Sequence, residues 1–95
     1  MVILEIEHKI ANYEGWKRAF ESDPINRKKS GAKSYRIFRP IDDANYVIIH
    51  LEFYNVSQAE AMLASLRVLW QKVEGEIMVN PKARILNLAQ ISSVE

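Results

Sequence analysis

Residues 46–54, Tyr-Val-Ile-Ile-His-Leu-Glu-Phe-Tyr, alternate without a break. Strand side chains point to opposite faces with a period of two. Val47, Ile49, Leu51 and Phe53 therefore make one fully apolar row, and Tyr46, Ile48, His50, Glu52 and Tyr54 make the other. The second row is too aromatic and too apolar for a plain solvent face. Residues 2–10, Val-Ile-Leu-Glu-Ile-Glu-His-Lys-Ile, repeat the arrangement. Val2, Leu4, Ile6, His8 and Ile10 share one face, and Ile3, Glu5, Glu7 and Lys9 share the other. Residues 83–91, Ala-Arg-Ile-Leu-Asn-Leu-Ala-Gln-Ile, read as a last strand with apolar side chains on both faces. Such a sheet needs cover on two sides.

The rest of the chain supplies cover for one side. Asn12 offers an N-cap to a helix whose apolar stripe is Trp16, Ala19 and Phe20. Asp23-Pro24 interrupts that helix, because a residue before proline avoids the α region. A short second helical piece over 25–30 follows, stopped by Gly31. Residues 33–40 form a second strand, and the Asp42-Asp43-Ala44-Asn45 turn leads into the third at 46–54. Ser57-x-x-Glu60 is a capping box for a helix with Ala59, Met62, Leu63 and Leu66 on its apolar face, running through Trp70 and Val73 to Gly75. Asn80-Pro81 marks a loop before the last strand.

The order β-α-β-β-α-β is the split βαβ arrangement of ferredoxin-like folds. The expected architecture is α+β: one domain over residues 1–95, a four-stranded antiparallel sheet with helices on one face. A second copy of the chain is the simplest cover for the other face, giving a homodimeric α/β barrel.

Composition narrows the function classes. With 13 basic and 12 acidic residues the net charge is +1, which gives no reason to expect nucleic acid or an anionic membrane as partner. There is no cysteine, so disulfides, thiolate zinc sites and a cysteine nucleophile are excluded, and a reducing cytoplasm suits the chain. The first seven residues lack a basic stretch and carry two acids, unlike a signal peptide.

The segment from His8 through Asn12-Tyr13-Glu14-Gly15-Trp16 to Phe20 resembles the first strand and helix of short bacterial dimeric α/β-barrel proteins. These are cyclase-like relatives of the antibiotic biosynthesis monooxygenases. Residues 31–39 with Asp42-Asp43-Ala44-Asn45 resemble the hairpin of the same group, as do Leu51-Glu52-Phe53 and residues 59–63. The sequence departs from the group at Asn12, where aspartate is expected, and at Phe53, where tryptophan is common. The resemblance implies a cofactor-free cyclase, isomerase or monooxygenase acting on a small aromatic, carbonyl or polyketide-like compound. The alternative is a non-catalytic dimeric module for ligand binding or protein interaction.

Candidate catalytic residues are His50 and Glu52, which lie two apart on one strand face with Tyr46 and Tyr54 beside them. A partly buried histidine near a carboxylate can act as a general acid or base near neutral pH, and tyrosine can hydrogen-bond a phenol or enolate oxygen. The bland reading is a polar network that satisfies itself at the dimer interface. Glu7, on the neighbouring strand, can approach His50 or Glu52. His8 falls on the helix-facing row by alternation and joins the cavity between the copies only if a bulge flips its register. Trp16 and Trp70 are each either core or a stacking wall for ligand. No spacing is specific for a metal, and no cofactor is expected. Arg27, Lys28, Lys29, Lys33, Arg36 and Arg39 form a basic run, either a solvated surface or a guide for an anionic substrate.

Overall fold

A computed structural model of the chain describes residues 1–73 and 78–94. Its elements are β1 (Val2–Ile10), α1 (Tyr13–Glu21), β2 (Ser34–Phe38), β3 (Tyr46–Phe53), α2 (Val56–Val73) and β4 (Met78–Asn87). The four strands form one antiparallel sheet in the order β2-β3-β1-β4. This is the expected ferredoxin-like βαββαβ architecture.

Register carries out the alternation. Leu4 pairs with Leu51 and Ile85, and Ile6 pairs with Ile49 and Ala83. One step along, Glu5 pairs with His50 and Arg84 on the opposite face. A one-residue slip would exchange the two faces completely. The helix-side rows of β1 and β3 are buried throughout, with Leu4, Val47 and Phe53 at 0% exposure. Ala59, Met62, Leu63 and Trp70 of α2 close over them, one stripe at helical spacing. Trp16 of α1 joins the same core. Fully burying one such side chain contributes about 1.5–3 kcal/mol.

Asn12 caps α1 as expected, its side-chain oxygen accepting from the Gly15 amide at 2.7 Å. Four local expectations are corrected. Residues 25–30 form turns, not a helix, because Asp23 and Asn26 take left-handed φ values of 51° and 57°. Asparagine and aspartate tolerate that region better than most residues. The cap of α2 is Asn55, whose side-chain oxygen accepts from the Gln58 amide at 2.9 Å. Ser57 sits inside the helix and donates to the same Asn55 oxygen, so the Ser57–Glu60 box is not used. β4 begins at Met78 and runs through Asn80-Pro81 instead of starting after it. Proline is tolerated there because β4 is an edge strand. Finally, β4 ends at Asn87; residues 88–94 are exposed and irregular. The expected helix stop at Gly75 lies outside the described residues.

Gly31 has φ 99°, and a Cβ there would meet the Gln58 side chain at 2.9 Å. Its backbone requires glycine, and the Gln58 side chain would have to shift to admit a Cβ. It ends the strap of residues 22–31 that links α1 toward β2. No helix among the described residues is long and apolar enough to cross a membrane.

Candidate functional site

A cavity of about 240 Å³ lies between the sheet and its helices. Ile6 and His8 of β1 and Ile49 and Leu51 of β3 form its floor. Trp16 and Phe20 of α1 and Met62 and Trp70 of α2 form its walls, and Pro24, Ile25 and Arg27 of the strap complete it. The size falls just below the roughly 300 Å³ at which pockets for drug-sized ligands begin, so it suits one or two rings.

His8 is the polar interruption in an otherwise apolar row, and it is only 1% exposed. Its Nδ1 lies 3.1 Å from the Lys9 carbonyl oxygen. A carbonyl only accepts, so Nδ1 carries the proton and donates. Nε2 is left with a lone pair, buried and without a partner among the described residues. Burial pushes the imidazole pKa below its ordinary 6.5, against a smaller upward pull from the Lys9 carbonyl, so the ring is neutral at pH 7.

A bulge sits directly opposite. Glu7 pairs with Lys82 and Lys9 with Val79, so Asn80 and Pro81 together face His8. Asn80 has φ 54°. The extra residue is on β4 and not on β1, so His8 keeps the face that alternation gives it. The cavity is on that face too, under the helices.

Beside His8 runs an aromatic ladder. The His8 and Trp16 rings are 6.1 Å apart, and Trp16 stacks on Phe20 at 5.1 Å. The Arg27 guanidinium lies 3.9 Å from the Phe20 centroid, donates to the Phe20 carbonyl at 2.9 Å, and pairs with Asp23 at 3.4 Å. Arg27 therefore fastens the strap to α1. It leaves the basic run as a structural cation, as do Lys33 over the Tyr54 ring and Arg39 over Tyr13.

The other face gathers most of the remaining candidates. His50 Nε2 donates to Glu5 at 2.9 Å, and Arg84 Nε donates to the other oxygen of Glu5 at 2.7 Å. The bonds from Arg84 and then His50 hold the Glu5 carboxyl below its ordinary pKa despite partial burial. Glu52 shares the face but bonds Ser34 at 3.1 Å. Glu7 accepts from the Tyr46 hydroxyl at 2.7 Å, which pushes that phenol up to about 12. Tyr54 lies past the end of β3 and is exposed. The carboxylate at His50 is thus Glu5, not Glu52 or Glu7. Among the described residues no group of three or more His, Cys, Asp or Glu is placed to hold a metal.

Of the sequence candidates, His8 and Trp16 line the helix-side cavity. Trp70, the other tryptophan read as core or stacking wall, lines it too, and so does Arg27, which the sequence places only in the basic run. The available signal was His8 itself, a lone polar residue in a row that helices cover.

No protein-family model matches the sequence, and no curated protein is similar to it in sequence. Solved structures do match in fold. The cofactor-independent oxygenase SnoaB of Streptomyces nogalater has a TM-score of 0.74 at 10% identity, over 95% of this chain and 94% of that one. A candidate antibiotic biosynthesis monooxygenase of Deinococcus radiodurans has a TM-score of 0.72 at 12% identity, over 100% and 99%. An uncharacterised NIPSNAP domain protein of Burkholderia xenovorans has a TM-score of 0.65 at 12% identity, over 99% and 100%. At these identities the likeness establishes the fold alone: the chain shares its ferredoxin-like βαββαβ architecture with these structures.

Proposed function

We propose that this chain is a cofactor-free enzyme of the oxygenase type that holds a small aromatic compound in the helix-side cavity. The observation that carries the reading is His8: one neutral, buried base with a free lone pair in a cavity otherwise walled by apolar and aromatic side chains. Such a group accepts a proton from an activated ring, and the ionised ring is electron-rich enough to reduce dioxygen without metal or flavin. The apolar walls keep competing water out. SnoaB, of like fold, is a cofactor-independent oxygenase, which supports the reaction class.

The open sheet face has a different role in this reading. Ile3, Ile48 and Leu86 are half-buried there and Phe38 is exposed, a set that suits contact with a second copy of the chain. The His50–Glu5–Arg84 and Tyr46–Glu7 bonds satisfy one another, which favours an interface over a reaction centre. The chain acts in a reducing compartment such as the cytoplasm, in keeping with its lack of cysteine.

Oxygen uptake with activated phenols, without added metal or flavin, tests the reading. His8→Phe keeps a planar ring at the position without its nitrogens and is expected to lower uptake at least tenfold, whereas His50→Ala leaves it near the parent rate. Loss of uptake in His50→Ala with full activity in His8→Phe would move the site to the other face. Ligand binding with no turnover under any condition would favour the non-catalytic module.

A further inference from the structure

We propose that the helix-side cavity selects its occupant by hydrogen-bond polarity: it takes an uncharged planar ring with an O–H or N–H donor on the edge facing His8, and rejects rings offering only an acceptor there. The inference rests on reading this cavity as the binding site, and adds which chemical form of the ring it holds.

The polarity is set by the backbone, not by a side chain that can adapt. The Lys9 carbonyl fixes the proton on Nδ1 at 3.1 Å, so Nε2 has only a lone pair to offer. Turning the ring over would replace Nδ1 by a carbon and lose that bond. Nε2 is buried without a partner among the described residues, so it bears the cost of a desolvated acceptor. A donor on the ligand removes that cost. A carbonyl, an ether or a ring carboxylate instead sets lone pair against lone pair.

Two other polar side chains of the lining are already committed. Ser22 donates its hydroxyl to the Ala19 carbonyl at 2.6 Å. Arg27 is held by the Phe20 carbonyl and by Asp23. Neither is free to turn and neutralise an acceptor placed at His8. A hydroxylated ring and its carbonyl-only counterpart therefore differ in affinity without differing in size. A site built around one buried hydrogen bond discriminates strongly against analogues that cannot make it.

Three probes of matched shape test this: 2-naphthol, 2-fluoronaphthalene and 1,4-naphthoquinone, titrated into the parent chain by NMR. The chain's two tryptophans, Trp16 and Trp70, both line the cavity, so their indole signals report occupancy. 2-Naphthol is expected to bind about tenfold or more tighter than 2-fluoronaphthalene, as one neutral hydrogen bond allows, and the quinone is expected to bind weakest. The His8 ring nitrogen resonance should move with naphthol alone, and His8→Phe should level naphthol and its fluoro analogue. Equal affinities in the parent chain overturn the polarity rule and leave the cavity standing as a site. Failure of all three to move either indole overturns both. Selective binding of naphthol without oxygen uptake upholds the rule while removing the oxygenase reading.

Discussion

The sheet carries one histidine on each face, and the two are opposites. His50, on the open face, has a carboxylate at 2.9 Å that is itself shared with Arg84. His8, on the covered face, has one nitrogen spent on a backbone carbonyl and the other on nothing. On the open face Tyr46 also finds Glu7, and Glu52 finds Ser34. A polar group with a partner explains itself by its partner. A polar group buried without one costs about 1–3 kcal/mol and must be explained by something outside the chain. By that measure the polar group left to be explained is the one under the helices.

The largest expected effect tests whether the faces differ in energy as they do in burial. Leu4→Ala removes a side chain with 0% exposure, and should cost about 2–5 kcal/mol in urea unfolding. Ile3→Ala, one residue away on the half-buried open face, should cost much less in dilute solution. Equal losses would mean that the open face is packed as tightly as the core, which only cover by another chain would explain. In that case the Ile3→Ala loss should depend on protein concentration.

His8→Phe should behave unlike an ordinary core substitution. It removes the unpartnered Nε2 at the cost of the Nδ1 bond to the Lys9 carbonyl, so the chain should gain up to about 1 kcal/mol of stability while losing the proposed activity. A loss larger than that one bond can account for would show that Nε2 has a partner after all. The same substitution has a pH signature. The folded pKa of His8 is depressed, so between that value and 6.5 the unfolded chain binds more protons than the folded one. Stability from this group is full above 6.5 and falls as pH drops through the folded pKa. Glu5 is also depressed, so its contribution is full above 4.5 and is lost as pH falls further. The parent chain should thus lose stability in two stages on acidification. His8→Phe should abolish the upper stage, and Glu5→Gln the lower.

Much of this was legible in the residues. Strict alternation at 2–10 and 46–54 fixed two strands and their faces, because a strand half in the core tolerates no slip. It also placed His8 under the helices. The sequence pairs His50 with Glu52 on the open face, since two polar groups at spacing two look like a working pair. Neighbours along a strand compete with neighbours across it. The register brings Glu5 directly opposite His50 and Ser34 opposite Glu52, and those cross-strand partners win. Local signals failed where two were in competition: Asn55 outcompeted Ser57 as cap, and Asn80-Pro81 became a bulge because an edge strand can absorb it. The bulge facing His8 was anticipated as a possibility on the wrong strand.

The smallest expected effect bears on the same comparison. Tyr46→Phe removes the donor to Glu7 and leaves a half-buried carboxylate that water can reach. The cost in dilute solution should be about 0.5 kcal/mol. The bond also predicts a spectroscopic mark. Tyr46 should ionise near 12, and in Glu7→Gln it should return toward the ordinary 10, because the carboxylate that holds its proton by a charged hydrogen bond is gone. Ultraviolet titration of the parent chain and this variant reads the difference. If a second copy closes over the face, water no longer replaces the lost donor, and the cost of Tyr46→Phe should rise with protein concentration. A cost that stays small at every concentration would mean that solvent reaches Glu7 throughout. The polar network of the open face would then be a surface feature, and the second copy would have to be sought elsewhere.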